Sequence, residues 1–232
     1  MKRRWLVLCL FMGAFHLAAE CQELPETVVE SPRFNPKERV RRTETVGKPA
    51  LCCYMESNLE YPLEEQQCGN EGVVVAIFVV DPDGKVADVV IENSVSRELD
   101  RCVKRCITST SGQWLPGRVN GVAVPMESRV KVNFDIRGNG THQEMANKYL
   151  LVAIRKCNRG DWLSLNPDIN RHRVTRKYRQ AHENLVLADR YAPNHPAIKH
   201  WHVVVYERQE DLTRMKTAMF ELDDILLHAL NE

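Results

Sequence analysis

The hydrophobic positions of this chain change period near residue 137. From Gly72 to Val80 the run Gly72-Val73-Val74-Val75-Ala76-Ile77-Phe78-Val79-Val80 has no polar side chain. A strand buried on both faces has this pattern, so the run is expected at the centre of a sheet. Asp81-Pro82-Asp83-Gly84-Lys85 predicts a tight turn, because Pro presets φ and Gly takes the left-handed position. Val86 to Glu92 then returns antiparallel. A helix follows, with Leu99, Val103, Cys106 and Ile107 on one face. After Trp114-Leu115-Pro116-Gly117, Met126 to Ile136 alternates as a third strand. Val130, Val132, Phe134 and Ile136 are expected inward, and Arg129, Lys131, Asn133 and Asp135 outward. Beyond Arg137 the spacing is helical. Met145, Tyr149, Val152 and Ala153 share a stripe, as do Ala181, Leu185 and Ala188 within a helix expected from Tyr178 to Tyr191. Pro196 to Arg208 and Leu212 to Leu230 read as a helical pair, although Trp201 to Tyr206 is also β-prone. The fold class is α+β: a three-stranded antiparallel sheet with two helices, followed by a smaller all-α domain.

Domain boundaries follow from the same pattern. Lys2, Arg3 and Arg4 precede the apolar stretch Trp5 to Ala19, and Ala18-Ala19-Glu20-Cys21 supplies small residues for cleavage. That stretch is short for a bilayer span of about 20 residues. Residues 1–21 are therefore read as a signal peptide in preference to an N-terminal anchor. Residues 22–48 are polar and rich in Glu, Arg and Pro, and read as a linker. A domain is expected at 49–137, opening with a short helix from Pro49 to Asn58 and a further helical turn from Leu63 to Cys68. A helical domain is expected at 141–232, after Arg137-Gly138-Asn139-Gly140. Ala181, Leu185, Ala188 and Pro193 resemble half of a tetratricopeptide repeat, without a clean second copy upstream.

Several short motifs inside 49–137 carry a resemblance. They are Asn58-Leu59-Glu60-Tyr61-Pro62, Gly72 before an apolar strand, Asp81-x-Asp83-Gly84-Lys85-Val86 and Leu99-Asp100. Trp114-x-Pro116-Gly117, with Asn120-Gly121 and Val124, completes the set. In order and spacing they resemble the C-terminal domain of TonB energy transducers. The resemblance implies a periplasmic domain whose third strand receives the TonB box, an extended peptide of an outer-membrane transporter. Its implied partner-binding residues are Arg129, Val130, Lys131, Val132, Asn133, Phe134 and Asp135. The physical basis is an open sheet edge, which offers unpaired backbone donors and acceptors to an added strand. The chain departs from a working transducer in three respects. His16 has Met12 where the family keeps a serine, the linker is short, and the chain continues past the domain as helix. An anchored transducer, and a scaffold that binds chiefly through its helical tail, are the alternatives.

Composition bounds the chemistry. The 232 residues are 27% charged with a net charge of +1, which lacks the basic footprint of a nucleic-acid binder. No motif of a hydrolase, metalloprotease or nucleotide-binding loop occurs, and no cofactor or metal is implied. A non-enzymatic role is expected. Six of the eight cysteines, Cys52, Cys53, Cys68, Cys102, Cys106 and Cys157, lie beyond the signal, a usage that suits an oxidising compartment. A disulfide among Cys52, Cys53 and Cys68 is left open, and Cys106 is expected as a buried thiol.

Overall fold

The computed structural model describes residues 27–36, 49–166, 168 and 170–230. The signal or anchor segment expected at 1–21 lies outside the described residues, as does most of the linker. In chain order the elements are β1 (Val29–Glu30), β2 (Arg33–Phe34), α1 (Ala50–Asn58), α2 (Leu63–Gln67), β3 (Gly72–Val80), β4 (Val86–Asn93) and α3 (Arg97–Ser109). Then come β5 (Trp114–Leu115), β6 (Arg118–Val119), β7 (Val122–Ala123), β8 (Met126–Phe134), α4 (His142–Ser164), α5 (Arg171–Tyr191), α6 (Pro196–Arg208) and α7 (Leu212–Leu230). The fold is α+β, with the main sheet ordered β4-β3-β8 and antiparallel throughout. The apolar run is its central strand, as its pattern predicts.

The inner face of the sheet carries Val74, Ala76, Phe78 and Val80 from β3 and Val130, Val132 and Phe134 from β8, all buried. Against it α3 packs Leu99, Val103, Cys106 and Ile107, and α1 packs Met55. Ser96 caps α3 by accepting from the Leu99 amide at 3.2 Å. Trp114 sits at one end of this core. Its ring lies 5.2 Å from Phe78 and its indole N–H donates to the buried Thr110 hydroxyl at 2.9 Å. The β3–β4 turn docks on the backbone of Trp114. Gly84 has φ of 77°, and a Cβ there would lie 2.3 Å from the Trp114 carbonyl oxygen, so glycine is needed for both conformation and space. Asp81 Oδ1 holds the turn by accepting from the amides of Asp83 and Lys85 at 3.0 and 2.8 Å.

Two expectations need correction, and one open question is answered. Within the stretch read as a linker, β1 pairs with β6 and β2 with β5. Phe34 fills the space between Tyr54 and Trp114, at ring distances of 5.3 and 5.4 Å. This stretch is thus part of the packed unit at residues 27–36, because a single aromatic covers an end of the core that α3 leaves open. The third strand ends at Phe134, and Ile136 is only partly buried beyond it. Its amide turns to the carboxylate of Glu71, at 3.2 Å, and leaves the ladder. The bridge considered among Cys52, Cys53 and Cys68 is not formed, and these cysteines are free together with Cys102, Cys106 and Cys157.

The tail is helical, and its helices cover more sequence than expected. Thr141 and Glu144 form a capping box that starts α4. Small residues line the contacts of α4 to α6: Ala146, Ala153, Cys157, Ala181 and Ala188 are buried together with Leu185, Ile198 and Val205. Trp201 to Tyr206 lies in α6, where packing of Val205 overrides local β-propensity. The α4–α5 pair runs from His142 to Tyr191, longer than a tetratricopeptide repeat of about 34 residues. The tail also touches the sheet. Tyr191 at the end of α5 donates to Glu71 Oε1 at 3.1 Å, and Gly72 lies against the Arg190 backbone. Val73 and Val75, whose side chains point to the outer face of β3, are buried, with α5 in contact with that strand.

Candidate functional site

The free edge of β8 is the feature that the sheet leaves unfinished. In an antiparallel ladder a residue's N–H and C=O point to one side, and successive residues alternate. Two hydrogen bonds fix the alternation in β3. The Asp81 amide donates to the Lys85 carbonyl at 2.9 Å, and the Val73 carbonyl accepts from Asn93 Nδ2 at 2.6 Å. The odd-numbered residues of β3 therefore face β4, and the even-numbered ones face β8. The β3–β8 register runs without a shift from Gly72↔Phe134 to Val80↔Met126, so even residues of β8 face back. The Ile136 amide, also even, points to Glu71 on the same side. It follows that Glu127, Arg129, Lys131 and Asn133 direct their backbone groups away from the sheet. No second strand pairs with them among the described residues.

This divides the seven residues singled out from the sequence. Val130, Val132 and Phe134 have buried side chains, and their backbone groups face β3. They support the edge from beneath. Arg129, Lys131, Asn133 and Asp135 are exposed. Arg129 forms an ion pair with Glu92 of β4 across the outer face. Asp135 Oδ1 lies 2.8 Å from His142 Nε2, which brings the first turn of α4 beside the strand's end.

The edge borders a groove that the sequence did not disclose. A cavity of about 430 Å³ lies between α1 and β8, lined by Cys52, Met55, Glu56, Leu59 and Tyr61 on one side and residues 130–135 on the other. Tyr61 forms its end wall, edge-on to Phe134 at 5.1 Å and donating to the Asn70 carbonyl at 2.8 Å. Burial pushes the Tyr61 phenol above its ordinary range, reinforced by Glu71, Glu65 and Asp135, so it stays a neutral donor. The Tyr61-Pro62 motif was visible in the sequence, but its place beside the third strand depends on how α1 packs. A larger cavity of about 570 Å³ separates the outer face, at Glu92, Arg129 and Lys131, from Asp189, Lys199 and Glu221 of the tail. Among the described residues no group of three or more His, Cys, Asp or Glu side chains is arranged to hold a metal. No helix among them is long and apolar enough to cross a membrane.

The class the fold defines is an α+β unit with an open strand edge beside a groove. Residues 57–136 match the family model described as Gram-negative bacterial TonB protein C-terminal, which supports the TonB C-terminal family for this part of the chain. Among solved structures, the NMR solution structure of Helicobacter pylori TonB-CTD is similar at 20% identity. The alignment covers 37% of this chain and 89% of that one, with a TM-score of 0.30. No curated protein matches the chain. The helices α4 to α7 lie outside the family match.

Proposed function

We propose that the 27–136 unit is a binding domain of the bacterial envelope, taking an extended peptide of a partner protein by strand addition to β8. The observation that carries this reading is the outward set of backbone groups at Glu127, Arg129, Lys131 and Asn133. A peptide paired there would set alternate side chains toward the groove of Met55, Leu59 and Tyr61 and toward the charged outer face. The TonB box of an outer-membrane transporter is the partner that the family resemblance suggests, and a periplasmic location goes with it. Whether the chain is released or anchored rests on residues 5–19, and N-terminal sequencing of the mature protein separates the two.

The test is binding of TonB-box peptides to the full chain, followed by amide exchange. Protection is expected at the amides of Arg129, Lys131 and Asn133. Lys131→Pro removes an outward donor without breaking the β3–β8 ladder, so it should lower affinity at least about tenfold while the protein stays folded. Val132→Pro removes a donor facing β3 and should destabilise the sheet itself. Protection confined to α4–α7, with none along β8, would reject strand addition and leave the helical tail as the binding surface.

A further inference from the structure

The last helix presents an apolar seam that the described residues cover only in part. Leu212, Met215, Met219, Leu222 and Leu226 recur at alternating spacings of three and four, the a/d pattern of a coiled coil. Ala218 and the partly buried Ile225 turn toward α6, which α7 contacts. Leu212, Met219 and Leu226 remain 61%, 46% and 45% exposed, and Met215 and Leu222 are half-buried at the boundary. Single exposed apolar residues are ordinary, but three on one line with two half-buried beside them are a surface that expects a partner.

The charges beside the seam say which partner fits. With Leu212 and Met219 at a positions, Lys216 and Asp223 both fall at e. In an antiparallel pair of identical helices, e positions face e positions, so Lys216 of one copy meets Asp223 of the other, twice about the two-fold axis. Both side chains are exposed, and neither forms a salt bridge within the chain among the described residues. The neighbouring charges are already engaged: Arg214 pairs with Asp211 at 3.4 Å and Glu221 with Lys199 at 3.0 Å. A parallel pairing would set Asp223 opposite Ala218 and leave it without a partner. We infer that α7 is a homodimerisation helix, and that a second copy of this chain docks on it antiparallel through Leu212, Met219 and Leu226. The contact is isologous and therefore closes on itself. At 19 residues, α7 is about 28 Å long, only two to three heptads. Because α6 already holds it folded, little ordering entropy opposes docking, and a weak, concentration-dependent dimer is expected. The dimer would carry two β8 edges.

Sedimentation equilibrium of the full chain across a wide concentration range tests this. The mass should rise toward twice the monomer's, and Met219→Glu with Leu226→Glu should hold it at the monomer value with unchanged helical circular dichroism. Lys216→Asp alone and Asp223→Lys alone should each weaken association, and the double swap should restore it. A monomer at every concentration overturns the proposal, as does a dimer that survives the seam variant. A dimer indifferent to Asp223→Lys overturns the antiparallel arrangement.

Discussion

At the scale of single residues, Trp114 does most to define the sheet unit. It touches Phe78 from the central strand and Phe34 from the segment before α1, and its N–H is satisfied by Thr110. The Gly84 turn closes over its backbone. Trp114→Ala therefore removes a large aromatic and leaves a cavity that three elements cannot jointly collapse into, while the Thr110 hydroxyl keeps its bond to the Ile107 carbonyl at 2.6 Å. A loss of about 3–5 kcal/mol is expected, the range for large core aromatics. Urea denaturation of the full chain decides it. A change under about 0.5 kcal/mol, the size typical of surface positions, would mean that the ring is not an anchor. The same position shows what sequence can and cannot disclose. Trp114-x-Pro116-Gly117 was legible as a motif. Its partner Phe34 was not, because two-residue strands such as β1 and β2 have no period to read.

At the scale of elements, the periodic signals were reliable and the docking ones were absent. The unbroken apolar run correctly said that β3 is the central strand, but nothing in it said that α5 would touch the strand beneath Val73 and Val75, or that Ile77 and Val79 on the same face would be only partly buried. The alternation of β8 gave its inward and outward side chains. It could not give which backbone groups face the open edge, because that depends on which neighbour pairs with the strand. The interior polar groups of the tail were likewise invisible to pattern. His182 of α5 stacks edge-on to His202 of α6 at 5.6 Å and lies 5.3 Å from the Tyr206 ring, while His202 Nε2 is 2.8 Å from Asp189 Oδ2. Burial holds His182 below its ordinary range, helped by neighbouring His202 and Arg214 and opposed by Glu183 and Asp189. The folded state then binds its proton less readily than the unfolded chain. Its contribution to stability is fully present above about 6.5 and is lost as pH falls through that value toward the lower folded one. The thermal midpoint should drop between about pH 7.5 and 5.5, and His182→Gln should reduce that drop. An equal drop in the variant would assign the pH dependence to other groups.

At the scale of the whole molecule, the question is whether sheet and tail form one cooperative body. Glu71 is their joint: a buried carboxylate, 4% exposed, accepting from the Ile136 amide with one oxygen and from the Tyr191 hydroxyl with the other. It ties the start of β3 to the exit of β8 and the end of α5. Burial drives the Tyr191 phenol far above its ordinary range, the bond to Glu71 adds to this, and so the hydroxyl remains a donor at any physiological pH. Tyr191→Phe keeps the ring, which stacks on Tyr149 at 5.8 Å, and deletes only that donor. One oxygen of a buried carboxylate is then left without its partner, a cost of about 1–3 kcal/mol. The apolar burial at Val73 and Val75 is untouched, so the tail should stay docked and the cost should be shared. Amide exchange measured on β3 and on α5 should then show the same loss of opening free energy in both. If α5 loses protection while β3 keeps all of its own, the two parts unfold independently. The Glu71–Tyr191 bond would then be a local contact between separate domains.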